Sequence, residues 1–443
     1  MMDGFLDRRR FLRGLGTVAL VGASGCSALS GEGKSPPTIP ASALGTIVDD
    51  APPTIPERVP VEIEPTYLDS IETTIRDTLT QVPSPFTATD IPNGAIREDL
   101  NQHRDRVDTY LQAAAEAASP YEALRRYRRA QERAAQVAAA WATVDADLTR
   151  DAVLERTAEL EAERSAFTRR WEYLGDEPER STVVHSILEQ RLRTTERIAT
   201  IVESDLEREP PNAITIGELA GSIERGFGAI EDAAYLYDRY LESLTEPTDQ
   251  RPTFEAAAAS LVGTIESRRA SLPSIEPSNP SALVDRDISD TPAAEALEEL
   301  YWRLDAPRYS SEERAAGRPA HAIVIAKTIL ARFRALSSIR DDVEAGESYE
   351  IESADDVRAI RSAAISALTA AQDAIDSVVL ANGDLARLAN QLQDVDRRLE
   401  PHDDDVRADL LGYEVAEYVQ IAAMARALPE TTKQVETALV SSR

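Results

Sequence analysis

From about residue 65 to the C-terminus, apolar side chains recur at spacings of three and four and hardly ever at two. That is the repeat of one buried face on an α-helix. The clearest run is Ile216, Leu219, Ile223, Phe227, Ile230, Ala234, Tyr237, Leu241 and Leu244. A second joins Tyr127, Ala130, Ala134, Val137, Trp141, Val144 and Leu148, and a third runs from Val357 through Ile360, Ala364, Leu368, Ala371 and Ile375 to Val378. Each run gives its helix a single apolar seam, as in long-helix bundles with coiled-coil-like packing. No strand-like alternation stands beside them, so the predicted fold is all-α.

Start and stop signals divide the pattern. Ser119-Pro120-Tyr121-Glu122 has the spacing of a capping box with proline at the first helical position. Ser353 precedes Asp355 and Asp356, acids that favour a helix N-terminus. Gly175, Gly346 and Gly383 mark expected helix ends. Helices are predicted near 66–81, 95–118, 120–146, 150–174, 179–208, 215–245, 253–271, 292–305, 311–343, 354–381, 384–399 and 403–440. Pro273, Pro277 and Pro280, with Pro292 close behind, punctuate residues 272–291. This stretch is the predicted linker between helical regions 65–271 and 292–443.

The charge changes the picture next. The 443 residues carry 78 Asp and Glu against 48 Lys and Arg, a formal net charge of -30. Such a surface repels a phosphate backbone, so no nucleic-acid partner is expected. Only Lys34, Lys327 and Lys433 are lysines, so nearly every basic residue is Arg. With 42% hydrophobic content the chain can still bury a core. Self-repulsion of this size favours a compact state only when salt screens it, at a Debye length of ~3 Å near 1 M. The expectation is adaptation to high salt and unfolding in dilute buffer.

The N-terminus carries the most specific motif. Arg8, Arg9, Arg10 and Arg13 precede a weakly apolar run from Leu15 to Gly25, too short to span a ~30 Å hydrocarbon core. The pair Arg8-Arg9 followed by Phe11 and Leu12 resembles the twin-arginine (Tat) export signal, with Asp7 where Ser or Thr is usual. Ala23-Ser24-Gly25-Cys26 then resembles a lipobox, and Cys26 is the single cysteine of the chain. Taken together, the segment is similar to haloarchaeal Tat-exported lipoproteins. That resemblance implies a signal peptide over 1–25 and Cys26 as the lipid-modified first residue of the mature chain. It also implies the Tat translocase, the lipoprotein-processing machinery and the outer face of the cell membrane as partners. Residues 26–64, rich in Ser, Gly, Pro and Thr, are predicted to form a disordered tether behind that anchor.

Candidate chemistry in the body is sparse. His185 and Glu189 share a helix face at i and i+4, and His402 precedes Asp403, Asp404 and Asp405. These are the metal-ligand candidates, but His-Glu-x-x-His is absent and the other histidines, His103 and His321, lie far off in sequence. Asp341 to Glu352 has EF-hand spacing at three positions, with Val343 and Ala345 where ligands are needed. Neither a nucleophile elbow nor a phosphate-binding glycine loop occurs. Lys327 lies in the most apolar helical run, where a desolvated amine could serve as nucleophile or base, and it is expected instead to snorkel or to pair with a carboxylate on a neighbouring helix. Arg125, Arg126, Arg128, Arg129 and Arg133 are expected to form an ion-pair face. No catalytic residue and no cofactor are implied. The expected role is a non-enzymatic binding, scaffold or sensor-like module with an envelope protein as partner. A helical solute- or metal-binding lipoprotein serving a transporter is the alternative, and an exported hydrolase comes third.

Overall fold

The computed structural model describes residues 37–205, 212–273, 280–305, 308–375, 377–399 and 404–442. Its helices are α1 (Ala41–Gly45), α2 (Pro65–Thr80), α3 (Gly94–Ala115), α4 (Pro120–Asp145), α5 (Arg150–Arg170), α6 (Pro178–Asp205) and α7 (Ala213–Glu242). They continue with α8 (Arg251–Ala270), α9 (Pro292–Asp305), α10 (Arg308–Ala315), α11 (Pro319–Ala345), α12 (Ala354–Ala374), α13 (Val378–Leu399) and α14 (Gly412–Ser441). The only strands among the described residues are two-residue pieces: β1 (Thr38–Ile39) with β4 (Val406–Arg407), and β2 (Leu174–Gly175) with β3 (Thr248–Asp249), each pair antiparallel. The fold is all-α.

The predicted caps form. Ser119 accepts from the Glu122 amide at 3.2 Å with Pro120 opening α4, and Ser353 with Asp356 closes a capping box on α12. Such caps satisfy amides that a helix start leaves without intrahelical acceptors. In the first region α4 runs along α7, flanked by α2 and α3, while α5 and α6 cover the rest of α7. Two glycines one turn apart set the α4–α7 approach. A Cβ at Gly217 would lie 2.6 Å from the Gln136 carbonyl oxygen, and one at Gly221 would lie 2.9 Å from that of Glu132.

In the second region α14 is the central helix, packed by α9, α11, α12 and α13, and α8 lies on α11. Phe254, Ala257, Leu261 and Ile265 of α8 belong to the same core as α11 and α14. Helix α8, inside the predicted first region 65–271, therefore packs in the core of the second. Helix α6 joins the regions, touching α7 on one side and α11 on the other.

Four expectations need correction. Residues 37–64 are no tether: Ile39, Leu44, Ile47 and Ile55 sink into the second core, and Val61 and Ile63 into the first. Six apolar side chains among the prolines suffice to seat a segment whose only helix is the short α1. The predicted helix 311–343 breaks at Gly317, whose φ of 75° ends one helix before Pro319 begins the next. Gly383 ends nothing and lies inside α13 with open space where its Cβ would be. Helix α12 stops earlier, at an extended Ile375, so Gly383 is free to be helical at a modest propensity cost. The last predicted helix, 403–440, starts only at Gly412, because Val406 and Arg407 pair with β1. Gly346, in contrast, does cap α11 with a φ of 115°.

Candidate functional site

Cys26, Arg8, Arg9, Phe11, Leu12 and His402 lie outside the described residues. His185 and Glu189 sit on α6, fully buried, where α6 meets the first turn of α11. Glu189 accepts from the Tyr173 hydroxyl at 2.6 Å, the Ala320 amide at 3.2 Å and the His321 amide. It therefore caps α11 across the joint between the two regions, where a helix leaves free amides and a positive dipole end. Burial nevertheless pushes its carboxyl up to about 8, against the three donors that pull it down.

His185 is committed in the same way. Its Nε2 lies 2.9 Å from the Leu174 carbonyl, and its Nδ1 lies 3.1 Å from the Trp171 indole nitrogen. The indole can only donate, which fixes the neutral tautomer with the proton on Nε2. Both ring nitrogens are thus occupied, and burial holds the ring at about 4. The pair serves as a helix joint, with both ring nitrogens of His185 taken and Glu189 accepting from three donors. Among the described residues no group of three or more His, Cys, Asp or Glu is placed to hold a metal ion. The i, i+4 pair is legible in the sequence but its partners are not, because Trp171 and Tyr173 fold back from the segment before α6 and Ala320 comes from a helix 131 residues away.

Of the two outcomes expected for Lys327 the structure has the ion pair: it meets Asp384 of α13 at 2.9 Å and donates to the Leu380 carbonyl. Burial would raise the Asp384 carboxyl, but Lys327 and Arg387 outweigh it and hold the group below the usual carboxylate range. The basic run on α4 is an ion-pair face within the molecule. Arg125 meets Glu57, Arg128 meets buried Asp232 at 2.8 Å, and Arg129 meets Glu132 at 3.5 Å. Arg126 donates to the Ala113 carbonyl and Arg133 to Gln136.

A cavity of about 190 Å³ opens among α9, α11, α13 and α14. Arg303, Arg332, Arg387 and Arg398 line it, beside an apolar wall that includes Leu300, Leu388 and Met424. Three of these arginines have carboxylate partners: Arg303 has Glu299, Arg387 has Asp384 at 2.9 Å, and Arg398 has Glu414 and Glu417. Half-buried Arg332 has no hydrogen-bond or ion-pair partner among the described residues. Burial, with Arg387 and Arg303 nearby, depresses its pKa to about 10. The four arginines come from three helices, so no local motif could reveal them. The one usable signal was Arg332 itself, set between Ala331 and Phe333 in a long apolar helix.

Comparison with known proteins divides the chain between α7 and α8. Residues 66–246 match a domain of unknown function (DUF8262), and residues 251–437 match a second domain of unknown function (DUF8264). The seam between the matches falls on β3, which pairs with β2 just before α6. No curated protein and no solved structure matches the chain.

Proposed function

We propose that the protein is an exported, lipid-anchored binding module, held by Cys26 at the outer face of the cell membrane and adapted to high salt. The observation that carries this reading is the N-terminal sequence itself. Arg8-Arg9 with Phe11 and Leu12, a short apolar run, and then the single cysteine of the chain stand in the order that Tat export and lipid attachment require. Among the described residues no helix is long and apolar enough to cross a membrane, so membrane attachment at Cys26 fits a helical body that does not itself span the bilayer.

The body supports a binding role over a catalytic one. His185, Glu189 and Lys327, the buried groups best suited to acid–base or nucleophilic work, are committed to partners that join helices. Residues 37–64 run across both cores and stiffen the whole. A rigid helical body near a membrane presents faces and cavities to partners or solutes, and its excess of acids keeps it soluble in concentrated salt. Crosslinking of intact cells in native salt, with reagents directed at carboxylates, tests the reading. Reproducible crosslinks to one envelope protein, or ligand-dependent changes in them, are expected. A protein found in the cytosol and crosslinked to nothing in the envelope refutes it.

A further inference from the structure

The most telling feature of the molecule is a cation without a partner in a protein with 30 more formal negative than positive charges. Arg332 stands on the cavity wall of the second region with acids close by, yet none of them reaches it. Glu299 is held by Arg303 and also accepts from Gln420 at 3.0 Å. Asp384 is held by Lys327 and Arg387. Asp394, on the cavity wall, pairs with Arg397, and Glu417 with Arg398. Every nearby carboxylate is thus engaged elsewhere, and Arg332 is held where Arg303 and Arg387 disfavour its charge. A guanidinium in that position gains most from an anion that arrives from outside.

We propose that this cavity is a binding site for a small organic anion, a carboxylate or phosphate monoester with a short apolar body. The acid group pairs with Arg332 and is flanked by Arg303 and Arg387, while the body lies on Leu300, Leu388 and Met424. The size agrees: about 190 Å³ accepts a ligand of a few heavy atoms and leaves no room for a peptide or a nucleotide. The chemistry agrees as well, since the planar fork of arginine matches both acid groups in a bidentate manner. Asp384, itself paired with Lys327, holds Arg387, so part of the site is set before the ligand enters. This inference rests on the binding-module reading above and gives that module a ligand class. It places the ligand in the region matching DUF8264.

The test titrates n-butyl phosphate and butyrate into the purified full chain in concentrated potassium chloride, by calorimetry and by melting midpoint. Inorganic phosphate and butylammonium serve as controls for the missing body and the wrong charge. Saturable binding of one or both organic anions is expected, with at least about tenfold weaker binding of either control. Arg332→Met should lose the response by a similar factor while its ligand-free melting midpoint stays level or rises, because an unpartnered charge has been removed. Arg332→Lys, which keeps the charge and loses the fork, should bind with intermediate strength. No saturable response to either organic anion overturns the proposal. So does an inorganic phosphate response of equal size, or an Arg332→Met protein that folds and binds as before. Envelope crosslinks that persist alongside a negative titration sink this inference alone and leave the binding-module reading standing.

Discussion

The two matched regions are built from the same materials, long amphipathic helices and arginine–carboxylate pairs, yet they close differently. In the first, buried Asp232 is surrounded by Arg128 at 2.8 Å, Arg191 at 3.4 Å and the Tyr67 hydroxyl at 3.1 Å. Tyr67 stacks on Tyr235 with ring centroids 3.7 Å apart, and the glycine seam brings α4 and α7 together. In the second, the helices leave a cavity and an arginine with no acid of its own. A region whose charges answer one another internally acts as structure. A region that leaves a charge unanswered keeps interaction energy in reserve for a ligand. The joint between them, α6 capping α11 through Glu189, belongs to the first kind.

Removing the joint should have the largest effect. Glu189→Ala leaves the Tyr173 hydroxyl and the amides of Ala320 and His321 without their acceptor, a loss of about 3–6 kcal/mol. Denaturant unfolding in high salt should show it, and two transitions in place of one would mean that the regions come apart at α6. Glu189→Gln probes the same joint more gently. The raised carboxyl favours the folded state below the ordinary carboxylate range, and that advantage is lost as pH climbs through about 8. The wild type should therefore weaken on the alkaline side, and the Gln variant should flatten that limb.

Next comes acid. His185 and His321 are both held at about 4 by burial, against an ordinary value near 6.5. A depressed histidine contributes stability above its unfolded pKa and loses it as pH falls through the folded one. Each should cost about 3 kcal/mol across that window. Melting midpoints of His185→Phe against wild type between pH 7 and about 4 check the sign. A variant as acid-sensitive as its parent would show that these rings do not set the slope.

The glycines sharpen the contrast between regions at smaller scale. Gly217→Ala drives a Cβ into the Gln136 carbonyl and should cost about 2–3 kcal/mol, because two helix backbones must separate. Gly263→Ala in α8, where nothing lies within 4 Å of the new carbon, should stabilise by about 0.5–1 kcal/mol. Equal effects at the two sites would contradict the close-approach account of the first region.

Much of the fold was legible because it is local. A seam such as Ile216 to Leu244 and a box such as Ser119 to Glu122 are written within one helix, and the molecule follows them. What escaped was encoded over distance. The short strand at Val406 exists because Ile39 returns to it, and residues 37–64 looked like a linker because their six core side chains are scattered among prolines. Gly317 with Pro319 two residues on is a local stop-and-restart signal, and it divides the predicted helix 311–343. His185 and Glu189, metal candidates by their i, i+4 spacing, do lie side by side on α6. Their partners come from Trp171, Leu174 and the start of α11, which no spacing rule connects. The arginine cavity is the extreme case, its four arginines brought together from three helices far apart in the chain.

The central claim is that this body works at the outer face of a membrane, held by Cys26. Fractionation of cells expressing the wild-type chain and a Cys26→Ser variant, with mass measurement of the mature protein, tests it most directly. The account predicts wild-type protein in the membrane fraction, beginning at Cys26 and carrying lipid mass on it, with the serine variant released to the medium as a folded body. Wild-type protein that retains residues 1–25 in the cytosol, or a mature chain with an unmodified Cys26 free in the medium, would contradict it.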